Sequence, residues 1–166
     1  YGNACHLLTR RDAATERWVI AEGEVETFER DASGSREPIR PAYFLRTTPL
    51  TVPSPAILSL ARGAQLPHQG AWAELLRLAG IVCERIAHSE KRTGVLTPAA
   101  DALAGGAGVC QDRAHVFLAA ARALGHPARY VSGYWAGAAA GDSGAMHAWA
   151  EVWSADEASS GGGDTL

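Results

Sequence analysis

Residues 105–115 read Gly105-Gly106-Ala107-Gly108-Val109-Cys110-Gln111-Asp112-Arg113-Ala114-His115, a glycine-rich run that leads through a cysteine into a helical pattern. Gly106 and Gly108 allow a positive φ angle or the close approach of another group before the helix begins. Cys110 then falls in the first helical turn, where free backbone N–H groups and the positive end of the helix dipole favour a thiolate. The run therefore predicts a nucleophilic cysteine.

The helix that carries this cysteine is predicted to continue from Val109 through Gly125. Its many alanines indicate a helix that packs tightly inside the core. Two strands are predicted after it, at residues 128–135 and 146–153. Because side chains alternate between the two faces of a strand, the second strand presents on one face His147, Trp149, Glu151 and Trp153, and on the other Met146, Ala148, Ala150 and Val152.

Two helices are predicted before the cysteine. Apolar residues recur at three- and four-residue steps between residues 71 and 88, which predicts an amphipathic helix. Cys83 lies on this apolar stripe and is expected to be a small buried hydrophobe. A short second helix is predicted with Thr97 as its N-cap and Pro98 at its first helical position.

The first part of the chain has a different composition. Residues 17–27 alternate in the manner of a strand with one solvated face, although two or three strands are only marginally stable alone. Residues 31–69 hold most of the prolines, which is typical of a connector. The predicted division is a partial N-terminal β segment with a Pro-rich connector at 1–68, and a core domain with an incomplete C-terminal part at 69–166.

Composition and charge limit the class of protein. The chain has 166 residues, 47% of them hydrophobic and 20% charged, which is ordinary for a globular protein. A net charge of -3 argues against nucleic acid or an anionic membrane as the main partner. No apolar run reaches the roughly 20 residues that span a bilayer, and the first residues do not form a signal peptide, so a soluble chain is expected.

The cysteine count gives expectations about compartment and metals. The three cysteines, Cys5, Cys83 and Cys110, cannot all pair within the chain. Their spacing fits neither a zinc site nor a disulfide scaffold, and the sequence has no phosphate-binding loop. A reducing, cytoplasmic location is predicted, with no metal and no cofactor.

A thiol nucleophile needs a base, and His147 in the second strand is the candidate. A helix and a sheet can pack so that the imidazole meets the sulfur and takes its proton. Spacing alone leaves a second interpretation open, in which Cys110 is a buried structural cysteine and His147 is satisfied by a neighbour.

Three runs of the sequence closely resemble the bacterial transglutaminase-like superfamily of cysteine proteases. The runs are Gly108-Val109-Cys110-Gln111-Asp112-Arg113-Ala114-His115, Ala123-Leu124-Gly125-His126-Pro127-Ala128-Arg129-Tyr130-Val131-Ser132-Gly133-Tyr134 and Met146-His147-Ala148-Trp149-Ala150-Glu151-Val152-Trp153. The resemblance implies an α+β fold with a papain-like core, in which the nucleophile helix packs on an antiparallel sheet. It also implies a Cys-His-Asp triad with Cys110 as nucleophile and His147 as base. Residues 1–27 are similar to the last strands of the β domain that commonly precedes this core.

The third member of the triad is where the sequence departs from the family pattern. In the family the aspartate lies in the next strand, within a Trp-x-x-x-Asp-Pro-like motif that is missing here. Asp164 has approximately the offset from His147 that the family shows, although it follows a Gly-Gly-Gly run that makes a poor strand. Asp164 is therefore the candidate for the third position. The start within a β domain and the stop before the triad strand predict a fragment, truncated at both ends.

Two polar residues beside the nucleophile have other predicted roles. Asp112 is expected to accept hydrogen bonds at the start of the helix, or to pair with Arg113 or His115. His115 lies about 140° around the helix from Cys110, which makes it a poor base for the thiol.

The resemblance implies acyl transfer through a cysteine thioester, with a protein or peptide as substrate. Water as acceptor would give a protease or amidase, and a lysine would give a cross-linking enzyme; the sequence does not decide between them. The alternative is a catalytically silent binding or assembly module with the same fold. A third possibility is an arylamine acetyltransferase-like acyl carrier, although the N-terminal helical domain of such a protein is not evident. The sequence does not indicate the oligomeric state.

Overall fold

A computed structural model describes residues 39–66, 68–135 and 145–153, together with single positions before residue 39. Apart from such single positions, the predicted strand at 17–27 lies outside the described residues, as do Cys5 and Asp164. Two short 3-10 helices come first, at Pro41–Leu45 and Pro49–Thr51. The helices and strands that follow are α1 Pro55–Ala64, α2 Gly70–Arg85, β1 Ala87–His88, α3 Ala99–Gly105, β2 Ala107–Gly108, α4 Cys110–Ala123, β3 Ala128–Trp135 and β4 Ala145–Val152.

Helix α1 begins inside the segment that its prolines mark as a connector. The Ser54 side chain accepts a hydrogen bond from the backbone N–H of Ile57 at 3.3 Å, and Pro55 occupies the first helical position. The apolar face of α1 then packs into the same core as α2 and α4. The buried residues of this face are Ile57, Leu60, Ala61 and Ala64. The domain division at residue 68 stays a prediction, and the structure places α1, which precedes it, in the common core.

Helix α4 is the central element of the fold. It contacts α1, α2 and α3 as well as both long strands. Every residue from Ala114 to Ala121 is buried. Small alanine side chains let the neighbouring elements approach closely, and the larger Val116, Phe117 and Leu118 fill the space between them. The prediction of a tightly packed, alanine-rich core helix is confirmed.

Strands β3 and β4 form an antiparallel ladder along their full length, with Ala128 opposite Val152 and Gly133 opposite His147. The face that contains Ala148, Ala150 and Val152 is buried, and both strands contact α4. The predicted α+β fold, with the nucleophile helix packed on an antiparallel sheet, is confirmed. The predicted bounds of β3 agree with the structure, and those of β4 differ by one residue at each end.

The glycine-rich loop before α4 is shaped by the conformation of one glycine and by a short strand pairing. Gly106 has φ of 64° and ends α3 in the left-handed conformation, which favours glycine. The loop is then held to the chain after α2 by the short parallel pairing of β1 with β2. In this pairing the N–H of Ala87 donates to the carbonyl of Gly106 at 2.9 Å, and the N–H of Ser89 donates to that of Gly108 at 2.8 Å. The start of α4 is thereby fixed relative to the end of α2.

The predicted start of α3 is wrong by one residue, because Pro98, not Thr97, is the N-cap. The Thr97 hydroxyl accepts a hydrogen bond from the N–H of Gly94 at 2.9 Å, and the N–H of Thr97 donates to the carbonyl of Gly94 at 2.9 Å. Thr97 therefore closes the turn before the helix. Among the described residues, no helix has both the length and the apolar character needed to cross a bilayer.

Candidate active site

Cys110 is the first residue of α4, and its thiol is free and partly exposed. The first N–H groups of a helix have no carbonyl partner within the helix, and they carry the positive end of its dipole. The backbone N–H of Cys110 is one of these groups, so it is a candidate donor to an oxyanion that forms beside the sulfur. The structure thus places the predicted nucleophile at the helix end that favours negative charge.

Asp112 fixes this end of the helix from within. Its side chain is fully buried, and its Oδ2 accepts a hydrogen bond from the N–H of Val109 at 2.7 Å and another from the hydroxyl of Thr93 at 2.6 Å. The first contact is the backward half of a capping box, in which the third helical residue binds the N-cap backbone. Of the roles predicted for Asp112, the structure bears out acceptance of hydrogen bonds at the helix start. Asp112 therefore sets the backbone position from which Cys110 projects.

Two further side chains tie the first turn of α4 to the preceding segments. The guanidinium of Arg113 donates two hydrogen bonds to the carbonyl of Ile86, at 3.1 Å from Nε and 2.9 Å from Nη2. The Gln111 amide donates to the carbonyl of Val95 at 3.1 Å. The residues on either side of Asp112 therefore hold the helix start to the end of α2 and to the loop before α3.

His147 and Cys110 line the same cavity, whose volume is about 500 Å³. The imidazole of His147 stacks against the Trp149 ring, with centroids 6.3 Å apart and planes inclined by 27°. Glu151 lies on the same strand face, but four residues along a strand span about 13 Å. The Glu151 carboxylate accepts a hydrogen bond from Nε of Arg129 at 2.6 Å. The structure therefore brings the predicted nucleophile and base to one cavity, and Glu151 binds Arg129 away from His147.

The predicted third member, Asp164, lies outside the described residues, so its role in orienting His147 stays a prediction. In residues 39–66, 68–135 and 145–153, no group of three or more His, Cys, Asp or Glu side chains is arranged to hold a metal ion.

Cys83 is exposed and lines the same cavity as Cys110, so the prediction that it is buried is wrong. Ala79 and Val82 lie on the same side of α2 and also line the cavity. Helical spacing identifies the side of α2 that faces the protein. It does not show whether another helix or strand covers each turn on that side, and so whether Cys83 is buried. His88 and Glu90 line the cavity as well, and no sequence motif singled them out.

His115, which the sequence excluded as a base for Cys110, is buried against the sheet. Its ring contacts that of Tyr130, with centroids 5.2 Å apart. Burial lowers the pKa of His115 below its ordinary value; the Asp112 charge and a hydrogen bond with the Thr97 backbone oppose this shift, and the Arg122 charge adds to it. Burial, followed by the negative charges of Cys110 and Asp112, raises the pKa of Tyr130.

The lowered pKa of His115 predicts a loss of stability in acid. The ring stays neutral when folded, but on unfolding it binds a proton once the pH falls below about 6.5. The contribution of the neutral His115 ring to the free energy of unfolding is therefore fully present above the unfolded pKa. It is lost as the pH falls through the folded pKa. We expect the free energy of unfolding of His115→Gln, measured in urea between pH 5 and 8, to fall less steeply with acid than that of the unaltered chain. The same slope in His115→Gln as in the unaltered chain would contradict this account.

Comparisons with known proteins identify the family to which this fold belongs. The sequence profile of the transglutaminase-like superfamily matches residues 57–161, more than half of the chain. The chain belongs to this superfamily. The match begins within α1, well before the three runs that carry the resemblance in the sequence.

Two solved structures share the transglutaminase-like fold of this chain. A "putative cysteine protease" from Cytophaga hutchinsonii is 28% identical with a TM-score of 0.56, and the match covers 66% of this chain and 37% of that one. The periplasmic domain of TgpA from Pseudomonas aeruginosa, bound to ethylmercury, is 23% identical with a TM-score of 0.59, covering 80% of this chain and 49% of that one. The uncharacterised protein ML0607 of Mycobacterium leprae (strain TN) is 46% identical over 66 residues, which are 37% of this chain and 24% of that protein. The transglutaminase-like chain thus spans less than half the length of each of these proteins.

The prediction of a cytoplasmic location is wrong on this comparison, since the TgpA domain with the same transglutaminase-like fold is periplasmic. The prediction rested on an odd number of cysteines. A thiol nucleophile has to stay unpaired in any compartment, so an unpaired cysteine at a helix start does not identify a reducing one.

Proposed function

We propose that this chain is a thiol-dependent acyl transferase or hydrolase that acts on carboxamide or peptide bonds of a protein or peptide substrate. The Cys110 thiolate attacks the carbonyl carbon, and the N–H of Cys110 donates a hydrogen bond to the negatively charged carbonyl oxygen. The C–N bond then breaks, His147 donates its proton to the leaving amine, and a thioester remains on Cys110. Water or an amine attacks the thioester and regenerates the thiol.

One observation carries this proposal, namely that Cys110 and His147 line a single cavity of about 500 Å³. A cavity of this size is within the range of small-molecule and substrate sites. The nucleophile stands on the most buried helix, and the base stands on a strand packed against that helix. Membership of the transglutaminase-like superfamily supports the same chemistry. Asp164 is the proposed third member, as the group that orients His147.

Alkylation of the thiols tests the proposal directly. We expect iodoacetamide near neutral pH to label Cys110 about tenfold or more faster than Cys83 or Cys5, as followed by mass spectrometry of the digested protein. Cys83 is the internal control, because it lines the same cavity but lies late in α2 rather than at a helix start. His147→Ala should slow the labelling of Cys110 and leave that of Cys83 unchanged.

The result also separates the proposal from its alternative. Equal labelling of all three cysteines would favour a catalytically silent binding or assembly module. If labelling is selective, turnover of carboxamide substrates with Cys110→Ala as the blank completes the test. The ratio of hydrolysed to amine-linked product in the presence of a lysine analogue then tells hydrolysis from cross-linking.

A further inference from the structure

The cavity that opens at Cys110 follows one side of α4 for two helical turns. Cys110, Ala114 and Phe117 all line it, and this spacing places them on one stripe of the helix. At 1.5 Å per residue, the distance from the first to the last is about 10 Å along the axis. The cavity is therefore an elongated groove, with the thiol at the end that corresponds to the helix N-terminus.

Most of the walls of this groove are apolar. Helix α2 contributes Ala79 and Val82, and β4 contributes Ala148 and Ala150. Val82, Ala148 and Ala150 are buried, as is Phe117 at the far end. An apolar chain laid along the groove would be removed from water on several sides, which favours its binding.

The charged side chains that line the groove are exposed to solvent or hydrogen-bonded to the backbone. His88 and Glu90 line the cavity but are exposed to solvent. Arg113 also lines it, yet its guanidinium is directed to the carbonyl of Ile86 by two hydrogen bonds. An ionised group that entered the interior beside Phe117 and Ala150 would lose hydration among apolar side chains.

We propose that this groove is the subsite for the acyl part of the donor, and that it selects acyl groups with an apolar chain of up to about 10 Å beyond the reactive carbonyl. The inference rests on the proposed function, because it takes the Cys110 sulfur as the atom that receives the acyl group. Donors whose acyl part is charged next to the carbonyl are disfavoured. The groove thereby sets the chemical class of the substrate.

A series of N-alkyl iodoacetamides, from methyl to hexyl, tests the groove without requiring turnover. The Cys110 sulfur displaces iodide, so that one S–C bond forms and iodide leaves with the bonding electrons. The dependence of the labelling rate on reagent concentration gives KI for reversible occupancy and kinact for the covalent step. We expect KI to fall about threefold for each added methylene. The same reagents on glutathione give the intrinsic reactivity, which should change little along the series.

Two variants locate the effect. Ala79→Phe fills the groove from α2 and should raise KI for the hexyl reagent at least tenfold, while KI for the methyl reagent changes less than threefold. Ala104→Phe makes the same substitution at an exposed position on α3 and should leave both constants unchanged. If Ala79→Phe does not fold, the dependence of KI on reagent chain length in the unaltered chain is the test of the groove. A KI that is independent of chain length would overturn the groove assignment even if labelling of Cys110 is selective. Unselective labelling would instead overturn the proposed function.

Discussion

Replacement of His147 by alanine is expected to lower the rate of acyl transfer by about 10²–10⁴-fold, the range that a positioned general base supplies. The same histidine both removes the thiol proton and protonates the leaving amine in the proposed mechanism, so both steps lose their proton carrier. The measurement is kcat/KM for release of amine from a carboxamide substrate. Added imidazole should restore part of the rate, because it can diffuse into the open side of the cavity.

His126→Ala is the control for this experiment. His126 is another partly buried histidine, but its Nε2 meets the Glu74 carboxylate at 2.8 Å, away from the groove. Its loss should leave the rate within twofold of the unaltered chain. If His147→Ala kept the full rate, or if the two variants lost activity equally, His147 would not be the base.

Replacement of Gly108 by alanine is expected to destabilise the fold by about 1–3 kcal/mol and to slow the alkylation of Cys110. A Cβ at residue 108 would lie 2.7 Å from Cγ and 2.8 Å from Cβ of Asp112. These are backbone-proximal atoms of a side chain held by Val109 and Thr93, so they cannot move aside without loss of those hydrogen bonds. The start of α4 would have to shift, and the thiol with it. Urea unfolding and the labelling rate measure the two effects.

Gly105, three residues earlier in the chain, provides the matched control. A Cβ there would meet no atom within 4 Å, and Gly105 is the last residue of α3. Gly105→Ala should therefore leave the labelling of Cys110 unchanged and cost no stability. Equal destabilisation by the two substitutions would mean that a glycine is needed only for general flexibility of the loop, and that the contact with Asp112 has no particular importance.

The features that the sequence predicted correctly are those encoded by near neighbours in the chain. The glycines of the loop and the alanine-rich pattern after Cys110 act locally, so the helix start and the buried character of α4 could be inferred from them. The strand at 128–135 was also predicted with the bounds that the structure shows. The prediction that Cys110 and His147 lie together rests on the family resemblance, because their spacing alone also allows a structural role for each of them.

The features that the sequence did not predict depend on which elements meet. Cys83 lies on an apolar stripe, but it is exposed because α2 is not covered along its whole length beside the groove. For α1, the run Ile57-Leu58-Ser59-Leu60-Ala61 among the prolines indicates only a short helical turn, although Ser54 followed by Pro55 is a helix-start signal. Thr97 has the side chain of an N-cap, but it binds a turn residue instead. In each case a local signal was present, and only the tertiary arrangement decides its role.

The burial of α4 has a further consequence for the cysteine at its first position. A nucleophile on a mobile loop has to lose conformational entropy each time a substrate arrives, and this loss adds to the barrier of the reaction. Cys110 lies instead on a helix that contacts three helices and two strands. The Asp112 carboxylate accepts a hydrogen bond at the start of this helix, and Arg113 and Gln111 donate others that hold it. Its backbone entropy is therefore lost once, when the chain folds. The thiol is preorganised before any substrate binds.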